Sequence, residues 1–425
     1  MANLIAPFAN AKPEEIALVD DFGETTWTDF NERVNQLVHA LRDKGLKTGD
    51  AFAVVSGNRR EYFEAFAAAA HGGWLLVPVN WHLVAKEVAY ILADSGSKAL
   101  LVDSRFVELA EATMLQPERP NLDVVVIMGT EADTFADETE QAVSYEAFLS
   151  EQATAEPEDQ LLGGPMFYTS GTTGHPKGVK SGLSQTGAPV DVLKMIGEGI
   201  SGMLGIASGG KSLLVGPVYH SAQWAFSFLP LLAGTSVVMR HKFDGEEVLR
   251  LIDQYQITNT HLVPTQFTRR HRLADGIRKA FDGSSLGVVW HGAAPCPPQI
   301  KRRMIEWWGP VINEYYGSTE GSIVTTVSSE DWLSRPGTLG KPVAIMEILV
   351  IKEDGSHAVA GESGTLYVKN LMGSDFEYHN APEKTSDAHL EPGVFTFGDV
   401  GYLDQDGYLF MSDRKIDMII SGGVN

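Results

Sequence analysis

The pattern of apolar positions predicts an amphipathic helix near the start of the chain. Between residues 28 and 41, apolar side chains recur three or four positions apart, which is the spacing of one helix face. These side chains are Phe30, Val34, Leu37, Val38 and Leu41. We expect the Thr28 hydroxyl to cap this helix and Gly45 to end it.

Helical stretches and short apolar runs alternate through most of the chain. The runs predicted as strands are 51–55, 74–79, 98–102, 122–128, 211–215, 236–239, 260–263 and 286–290. The stretches predicted as helices are 59–70, 87–92, 246–255 and 298–308. Strands separated by helices form parallel sheets that helices cover. The predicted fold class is therefore α/β, with two helix-covered β-sheets.

The last quarter of the chain has a different pattern. Strands are predicted at 345–351, 364–368 and 408–411, and the pairs Asp354-Gly355 and Asp406-Gly407 are typical of hairpin turns. We therefore expect a small, mostly antiparallel, barrel-like β subdomain. The predicted limits are 1–160 and 161–320 for two α/β subdomains and 321–413 for the β-rich subdomain. Together these make one large domain, 1–413, followed by a hinge at 414–425.

Composition and charge argue against several classes of partner. The 425 residues carry a formal net charge of −22, which disfavours nucleic acid or an anionic membrane as a general partner. The apolar stretches 63–79 and 226–239 are interrupted by glycine and proline, so we predict no integral membrane segment. A single cysteine, Cys296, permits no intramolecular disulfide and fits a reducing compartment. We predict a cytoplasmic protein in which Cys296 is structural.

The most informative motif is the string YTSGTTGHPKGV at residues 168–179. Its glycines let backbone N–H groups approach phosphate oxygens, its hydroxyls add donors or metal ligands, and its lysine adds a point charge. The spacing differs from GxxxxGK[ST], so the string is not a Walker loop. The residues predicted to hold a polyphosphate are Thr169, Ser170, Gly171, Thr172, Thr173, Gly174 and Lys177.

This string resembles the signature loop of the adenylate-forming (AMP-binding) superfamily, which contains acyl-CoA synthetases, luciferases and the adenylation domains of peptide synthetases. The resemblance implies ATP and Mg²⁺ as cofactors. It also implies catalytic roles for Thr172 and Lys177, with Thr172 contacting the metal. A flexible polar turn is the alternative.

A second motif, EYYGSTEG, occupies residues 314–321. Two tyrosines beside a glycine can flank a flat base, and a glutamate can bind a hard divalent cation. The string resembles the superfamily's YGxTE motif, which implies that Tyr316 packs on adenine, Thr319 contacts the α-phosphate, and Glu320 holds magnesium during catalysis. The nucleotide-binding residues predicted here are Glu314, Tyr315, Tyr316, Gly317, Ser318 and Thr319.

The string WHGAAP at residues 290–295 matches a region that the family uses as the other side of the adenine slot. Its small residues Gly292, Ala293 and Ala294 allow a flat group to lie against the backbone. The preceding His291 is either a functional residue or a satisfied core histidine.

Two later motifs resemble the family's ribose-binding residues. In TFGDVG, Asp399 can accept hydrogen bonds from ribose hydroxyls, although the family's TGD lacks a residue at the position of Phe397. In DRKID, Arg414 matches the family arginine that contacts the ribose and opens the hinge. The family has Asp or Lys two residues later, where this chain has Ile416, so Lys415 or Asp417 is a candidate for the pivot.

The string PVYHSAQW at residues 217–224 predicts part of the acid-binding pocket. The resemblance places His220 near the acyl carboxylate, with a catalytic role, and Trp224 in the pocket wall. An aromatic core segment is the alternative for Trp224. Gly317 leaves room that favours a medium-chain, long-chain or bulky acid.

The resemblance covers nearly the whole chain and implies an ATP- and Mg²⁺-dependent acid:CoA ligase, with CoA as co-substrate. The family's catalytic lysine belongs to a C-terminal α+β domain, which we expect to be missing from this chain after Asn425. The resemblance implies that this domain rotates between adenylate formation and thioester formation. One alternative is an aryl-acid or amino-acid adenylating enzyme that loads a carrier protein. Another is a fragment that binds nucleotide or acyl-AMP without turnover. A homodimer is an open possibility.

Overall fold

The computed structural model describes residues 4–129, 142–169, 175–271 and 273–414. The helices are α1 (Ala6–Ala11), α2 (Trp27–Asp43), α3 (Arg60–Gly72), α4 (Ala85–Asp94), α5 (Val107–Met114), α6 (Tyr145–Ser150), α7 (Asp191–Met203), α8 (Ser221–Ala225), α9 (Phe228–Leu232), α10 (Gly245–Tyr255), α11 (Pro264–His271), α12 (Asp275–Ala280), α13 (Pro298–Trp308), α14 (Ser329–Ser334) and α15 (Pro382–Ala388).

The strands are β1 (Ile16–Asp20), β2 (Gly23–Thr26), β3 (Ala51–Val55), β4 (Leu75–Val79), β5 (Ser97–Asp103), β6 (Val124–Met128), β7 (Ala142–Ser144), β8 (Gly164–Pro165), β9 (Phe167–Thr169), β10 (Lys177–Lys180), β11 (Lys211–Leu214), β12 (Ser236–Met239), β13 (Asn259–Leu262), β14 (Val288–His291), β15 (Ile312–Ser318), β16 (Ser322–Val327), β17 (Lys341–Pro342), β18 (Met346–Ile351), β19 (Gly364–Asn370), β20 (Glu377–Tyr378), β21 (His389–Glu391), β22 (Val394–Leu403) and β23 (Leu409–Arg414).

The chain divides into two compact units. Unit 1 contains Met1–Tyr168 and Leu183–Lys242, and unit 2 contains Thr169–Gly182 and Phe243–Asn425. In unit 1, strands β7, β6, β5, β3, β4 and β8 pair in that order, with each neighbouring pair parallel. Strands β11, β12 and β1 also pair in parallel, and β2 runs antiparallel to β1. The prediction of helix-covered parallel sheets is confirmed.

Continuous apolar runs in unit 1 form strands that are covered on both faces. Every residue of β3 and β6 is buried, as expected for parallel strands between helical layers. Helix α3 is buried at every residue after Arg60. Its buried Glu64 carboxylate accepts hydrogen bonds from Arg33 at 2.8 Å and from the Tyr145 hydroxyl at 2.6 Å. Those partners offset the cost of placing a carboxylate inside a core.

The predicted cap of α2 is wrong. The side chain of Thr26, not Thr28, accepts a hydrogen bond from the Asp29 backbone N–H at 3.0 Å. Thr26 also donates its hydroxyl to the Asp29 carboxylate at 2.8 Å, so the pair forms a reciprocal cap one half-turn earlier. Gly45 follows the helix with φ of +88°, a backbone conformation that glycine adopts without strain, and confirms the predicted end.

Unit 2 combines parallel and antiparallel pairing. Strands β13, β14 and β15 are parallel, while β16 and β17 continue antiparallel from β15. Strands β18, β19, β22 and β21 pair antiparallel in that order, with β23 also on β22. The turns at Gly355 and Gly407 have φ of +82° and +80°, which confirms both predicted hairpin turns.

The apolar pattern predicted about half of the strands that the structure describes and missed several other elements. Strands 51–55 and 236–239 and helix 298–308 are confirmed with their predicted limits. The β1–β2 hairpin and the glycine-containing helix α7 were not predicted. Within the described ranges, no helix is long and apolar enough to span a membrane.

Candidate nucleotide site

The described flank of the phosphate-type loop begins at His175, and Lys177 is the first residue of β10. Of the predicted loop residues, Ser170, Gly171, Thr172, Thr173 and Gly174 lie outside the described residues, and Thr169 is half-buried at the end of β9. Strand β10 pairs with β20, so that Val179 lies opposite Tyr378. The Lys177 ammonium lies 4.8 Å from the centre of the Tyr378 ring. Unit 2 therefore brings the loop lysine against a tyrosine that no motif indicated.

The charge environment of Lys177 is mixed. Partial burial lowers the pKa of this lysine, and nearby Lys384 lowers it further, while Glu320 and Asp387 act in the opposite direction. Lysine ammonium groups bind phosphates and carboxylates bind divalent cations, so two lysines and two carboxylates near one another suit a metal-bound polyphosphate. Among the residues that the structure describes, no three acidic, histidine or cysteine side chains cluster as a preformed metal centre.

Glu320 lies in the short connection between β15 and β16. The Ser318 hydroxyl accepts backbone N–H hydrogen bonds from Glu320 at 3.1 Å and from Gly321 at 3.0 Å, which fixes the turn. The Glu320 carboxylate accepts a hydrogen bond from the Tyr378 hydroxyl at 3.0 Å. Magnesium is commonly held by one or two carboxylates together with substrate phosphates, so this oxygen donor fits the ion. Thr319, beside Glu320, is half-buried.

The predicted adenine and ribose residues meet in unit 2. The Tyr316 hydroxyl donates a hydrogen bond to the Asp399 carboxylate at 2.7 Å, and both residues are buried. Phe397, the residue inserted into the family pattern, lies 6.1 Å from the Tyr316 ring and packs against Gly321, where a Cβ would come within 2.4 Å of it. The backbone of Arg414 pairs with that of Asp399. The motifs that contain Tyr316, Asp399 and Arg414 thus converge. The candidate hinge residues Lys415, Ile416 and Asp417 lie outside the described residues.

Two glycines in these motifs are required by close backbone approaches. A Cβ on Gly292 would lie 2.5 Å from the Tyr315 ring, and a Cβ on Gly317 would lie 1.9 Å from the Ser322 carbonyl oxygen. Because the fold requires glycine at 317 for any substrate, Gly317 gives no information on the size of the acid. Ala293 has φ of +62°, which strains a residue with a side chain, and Ala294 is half-buried.

A buried polar layer supports these motifs. Lys301 of α13 donates to the Glu314 carboxylate of β15 at 2.6 Å, and the Tyr315 hydroxyl lies 3.1 Å from His261 Nε2. Burial lowers the pKa of Lys301 and raises that of Glu314, and their mutual attraction opposes both shifts. Glu314 and Tyr315 therefore have internal partners, so they would act on a nucleotide by positioning the strand. Lys301 had no sequence signal, because its position only matches an amphipathic helix.

His291 and Cys296 lie close to the same layer. His291 is fully buried, its Nε2 lies 3.7 Å from Glu314 Oε2, and neither ring nitrogen has a hydrogen-bond partner within the described part of the chain. Burial lowers the His291 pKa well below its usual value. Burial also raises the pKa of the Cys296 thiol to about 12, which agrees with a structural rather than a nucleophilic cysteine.

Of the residues predicted to bind the acid, His220 and Trp224 belong to unit 1 and Gly317 belongs to unit 2. His220 precedes α8, and its Nε2 has no hydrogen-bond partner among the described residues. Burial lowers its pKa to about 4, with a smaller contribution from His82. Trp224 is buried against Phe66, Phe167 and Phe228, with ring centres 5.6–6.0 Å apart. An apolar wall with an unsatisfied imidazole can accept an organic acid, although Trp224 also packs as an ordinary core residue.

Comparisons with known proteins give a consistent result. The family described as AMP-binding enzyme matches residues 6–372. The indoleacetate–CoA ligase of Aromatoleum aromaticum is 30% identical over 98% of this chain and 79% of its own length. The long-chain-fatty-acid–CoA ligase FadD13 of Mycobacterium tuberculosis is 28% identical over 94% of this chain and 75% of its own.

Solved structures agree. The N-terminal domain of FACL13 from Mycobacterium tuberculosis superimposes with a TM-score of 0.81 at 25% identity, covering 97% of this chain and all of that domain. The o-succinylbenzoate CoA synthetase of Bacillus subtilis, solved with the acyl-adenylate intermediate OSB-AMP, gives a TM-score of 0.78 at 26% identity. That match covers the whole of this chain and 80% of the synthetase.

Proposed function

Because the chain belongs to the AMP-binding enzyme family of AMP-forming acid–CoA ligases, we propose that it converts a carboxylic acid into an acyl-AMP and then into a CoA thioester. This membership confirms the resemblance drawn from the motifs. One observation carries the proposal for this particular chain. Four side chains that the motifs assign to one nucleotide form two close pairs in unit 2. Lys177 and Glu320 both contact Tyr378, and Tyr316 donates a hydrogen bond to Asp399.

The chemistry follows from the weakness of a carboxylate as an electrophile. Attack of a carboxylate oxygen on the α-phosphorus of ATP forms the acyl phosphate bond and releases pyrophosphate. AMP then leaves when a thiol attacks the acyl carbon. Holding the two reactants in line and placing donors around the phosphoryl oxygens accounts for most of the expected rate enhancement.

Each motif has a role in this proposal. Asp399 would accept the ribose hydroxyls, Tyr316 would pack on adenine, and Lys177 would lie beside the phosphates. Thr172 and Glu320 would hold magnesium, which when bound offsets negative charge on the transferring group. Thr319 and the loop hydroxyls would donate to phosphate oxygens. His220 would lie near the acid carboxylate. Burial lowers its pKa to about 4, so the imidazole would be neutral there, and the proposed reaction does not require it to be charged.

The acid remains the least constrained part of the proposal. We propose a medium-chain, long-chain or bulky acid, because Trp224 and His220 lie among aromatic rings in unit 1. The related ligases are named for both fatty and aromatic acids, namely long-chain fatty acids and indoleacetate. Both kinds of acid therefore belong in the test.

The test is binding and turnover with an acid panel. Calorimetry with AMP and with non-hydrolysable acyl-sulfamoyl adenosines, carrying alkyl and aryl groups, measures the affinity of the chain for an acyl-AMP mimic. Acid-dependent ATP–pyrophosphate exchange, followed by CoA or a carrier protein as acceptor, measures the reaction. We expect the acyl mimics to bind more tightly than AMP and CoA to be the acceptor. Absence of AMP binding, or transfer only to a carrier protein, would contradict the proposal.

A further inference from the structure

We infer that Tyr378 is a positioning residue of the magnesium–nucleotide site, which orients the Glu320 carboxylate and holds the Lys177 ammonium. This inference rests on the proposed function, because both partners belong to the nucleotide motifs. Tyr378 belongs to none of the motifs recognised in the sequence. It lies in β20, within the short segment FEYHNA (residues 376–381) that precedes α15.

The first observation is the contact with Glu320. The Tyr378 hydroxyl donates to Glu320 Oε1 at 3.0 Å, and the tyrosine is half-buried. A hydrogen bond to one carboxylate oxygen restricts rotation of the group and leaves the other oxygen available to a cation.

The second observation is the contact with Lys177. Its ammonium lies 4.8 Å from the centre of the Tyr378 ring, within the distance of a cation–π interaction. The aromatic face attracts the charge without forming an ion pair. The lysine is therefore held in place while its hydrogen-bond donors remain able to reach phosphate oxygens.

The third observation is that the tyrosine itself is held rigidly. Strands β10 and β20 place Tyr378 opposite Val179, and the His379 backbone N–H donates to the Gly178 carbonyl at 2.8 Å. The Tyr378 backbone N–H donates to the Thr385 hydroxyl at 2.9 Å. The ring of Phe376 packs edge-on against Tyr378 at 5.1 Å. Because its backbone and its ring are both held, Tyr378 can keep Lys177 and Glu320 in fixed positions, which is what a positioning residue must do.

Two substitutions separate the two contacts. Tyr378→Phe removes the hydroxyl but keeps the ring beside Lys177, whereas Tyr378→Leu removes both. The measurement is calorimetric ATP affinity with saturating Mg²⁺ and with EDTA, and the ratio of the two affinities gives the magnesium-linked gain. Tyr402→Phe is the matched control, because Tyr402 stacks on Phe410 in the neighbouring sheet.

We expect Tyr378→Phe to reduce the magnesium-linked gain by about tenfold, the effect of losing a hydrogen bond to a charged group. Its metal-free ATP affinity should stay within about twofold of wild type. Tyr378→Leu should lose the same gain and also weaken metal-free ATP binding by about threefold. Tyr402→Phe should leave both affinities unchanged, and thermal melting should show that all three variants are folded.

Each contrary outcome has a defined meaning. If wild type gains ATP affinity from Mg²⁺ and Tyr378→Phe gains the same, Tyr378 is only a packing residue and the inference is wrong. If the two affinities of Tyr378→Phe fall together, the hydroxyl does not act through Glu320 and the inference is equally wrong. If wild type binds no ATP at all, the proposed function is overturned and this inference with it.

Discussion

Hydrogen bonding differs between two regions of the molecule. One is the set of nucleotide motifs in unit 2, and the other is the group of polar side chains around His220 in unit 1. In unit 2, Tyr316 bonds to Asp399 and Tyr378 bonds to Glu320. In unit 1, buried polar atoms of an aromatic cluster have no hydrogen-bond partner among the residues described. These atoms are Trp81 Nε1, Tyr219 Oη, His220 Nε2, Trp224 Nε1 and His241 Nδ1.

Under the proposed function, this difference would separate the site of a constant substrate, the nucleotide, from the site of a variable one, the acid. A nucleotide is the same in every reaction of the family, so its site can be rigid and internally hydrogen-bonded before it binds. Unsatisfied buried donors and acceptors carry a free-energy cost that a bound acid with a polar group can remove. His291, beside the motifs of unit 2, resembles the unit 1 cluster in this respect, since its buried ring nitrogens also lack hydrogen-bond partners among the described residues.

The largest effect is expected from breaking the buried ion pair beneath the nucleotide motifs. Lys301→Met leaves Glu314 buried without a cation, and we expect the free energy of unfolding to fall by about 3–5 kcal/mol near neutral pH. Urea denaturation measures this loss. Lys301→Met combined with Glu314→Leu should recover most of it, because two apolar side chains need no partner.

The same variant has a defined pH dependence. Burial already raises the Glu314 pKa above that of the unfolded chain, and removing Lys301 raises it further. A raised carboxyl pKa destabilises the folded state as pH rises through it, so the loss in Lys301→Met should shrink at acidic pH. Lys279→Met, at an exposed position, is the control. Equal behaviour of the two variants would show that the pair is unimportant.

An intermediate effect is expected at the predicted ribose residue. Asp399→Ala removes the acceptor of Tyr316 and the carboxylate proposed to bind the ribose, so AMP affinity should fall by about tenfold to a hundredfold. Calorimetric titration with AMP measures it. Asp354→Ala, in an exposed hairpin turn, should leave AMP affinity unchanged. An unaltered affinity in Asp399→Ala would remove this residue from the nucleotide site.

The smallest effect is expected from His220 of unit 1, whose Nε2 has no hydrogen-bond partner among the described residues. Burial lowers the His220 pKa to about 4, and the unfolded chain binds a proton near pH 6.5. Stability should therefore be intact above pH 6.5 and fall as pH drops towards about 4, where the folded state also protonates. His220→Gln should flatten this fall by at most about 1.4 kcal/mol per pH unit.

Urea midpoints between pH 4 and 7 measure the slope. His71 and His241 have pKa values lowered by burial to about 3 and 4, so part of the slope should persist in His220→Gln. His357→Gln, at an exposed position, is the matched control. A slope identical to wild type in His220→Gln would show that His220 is not held neutral.

The fold class and several residues of the candidate site were predicted from the sequence. Strand β3 and strand β12 were placed because continuous apolar runs are typical of buried parallel strands. Lys177, Glu320, Tyr316 and Asp399 were predicted because their motifs follow the order of the family, and their role in a nucleotide site stays a prediction. Tyr378 and Lys301 were missed because each lies in a segment whose composition is ordinary for a strand or a helix.

The sequence by itself determined the class of fold and the chemistry of the family, because periodicity and motif order are properties of neighbouring residues. Only the tertiary structure decided which side chains meet. The pairing of β10 with β20 brings Tyr378 to Lys177, and the packing of α13 beside β15 brings Lys301 to Glu314. Such contacts join segments far apart in the chain, and patterns of neighbouring residues do not predict them.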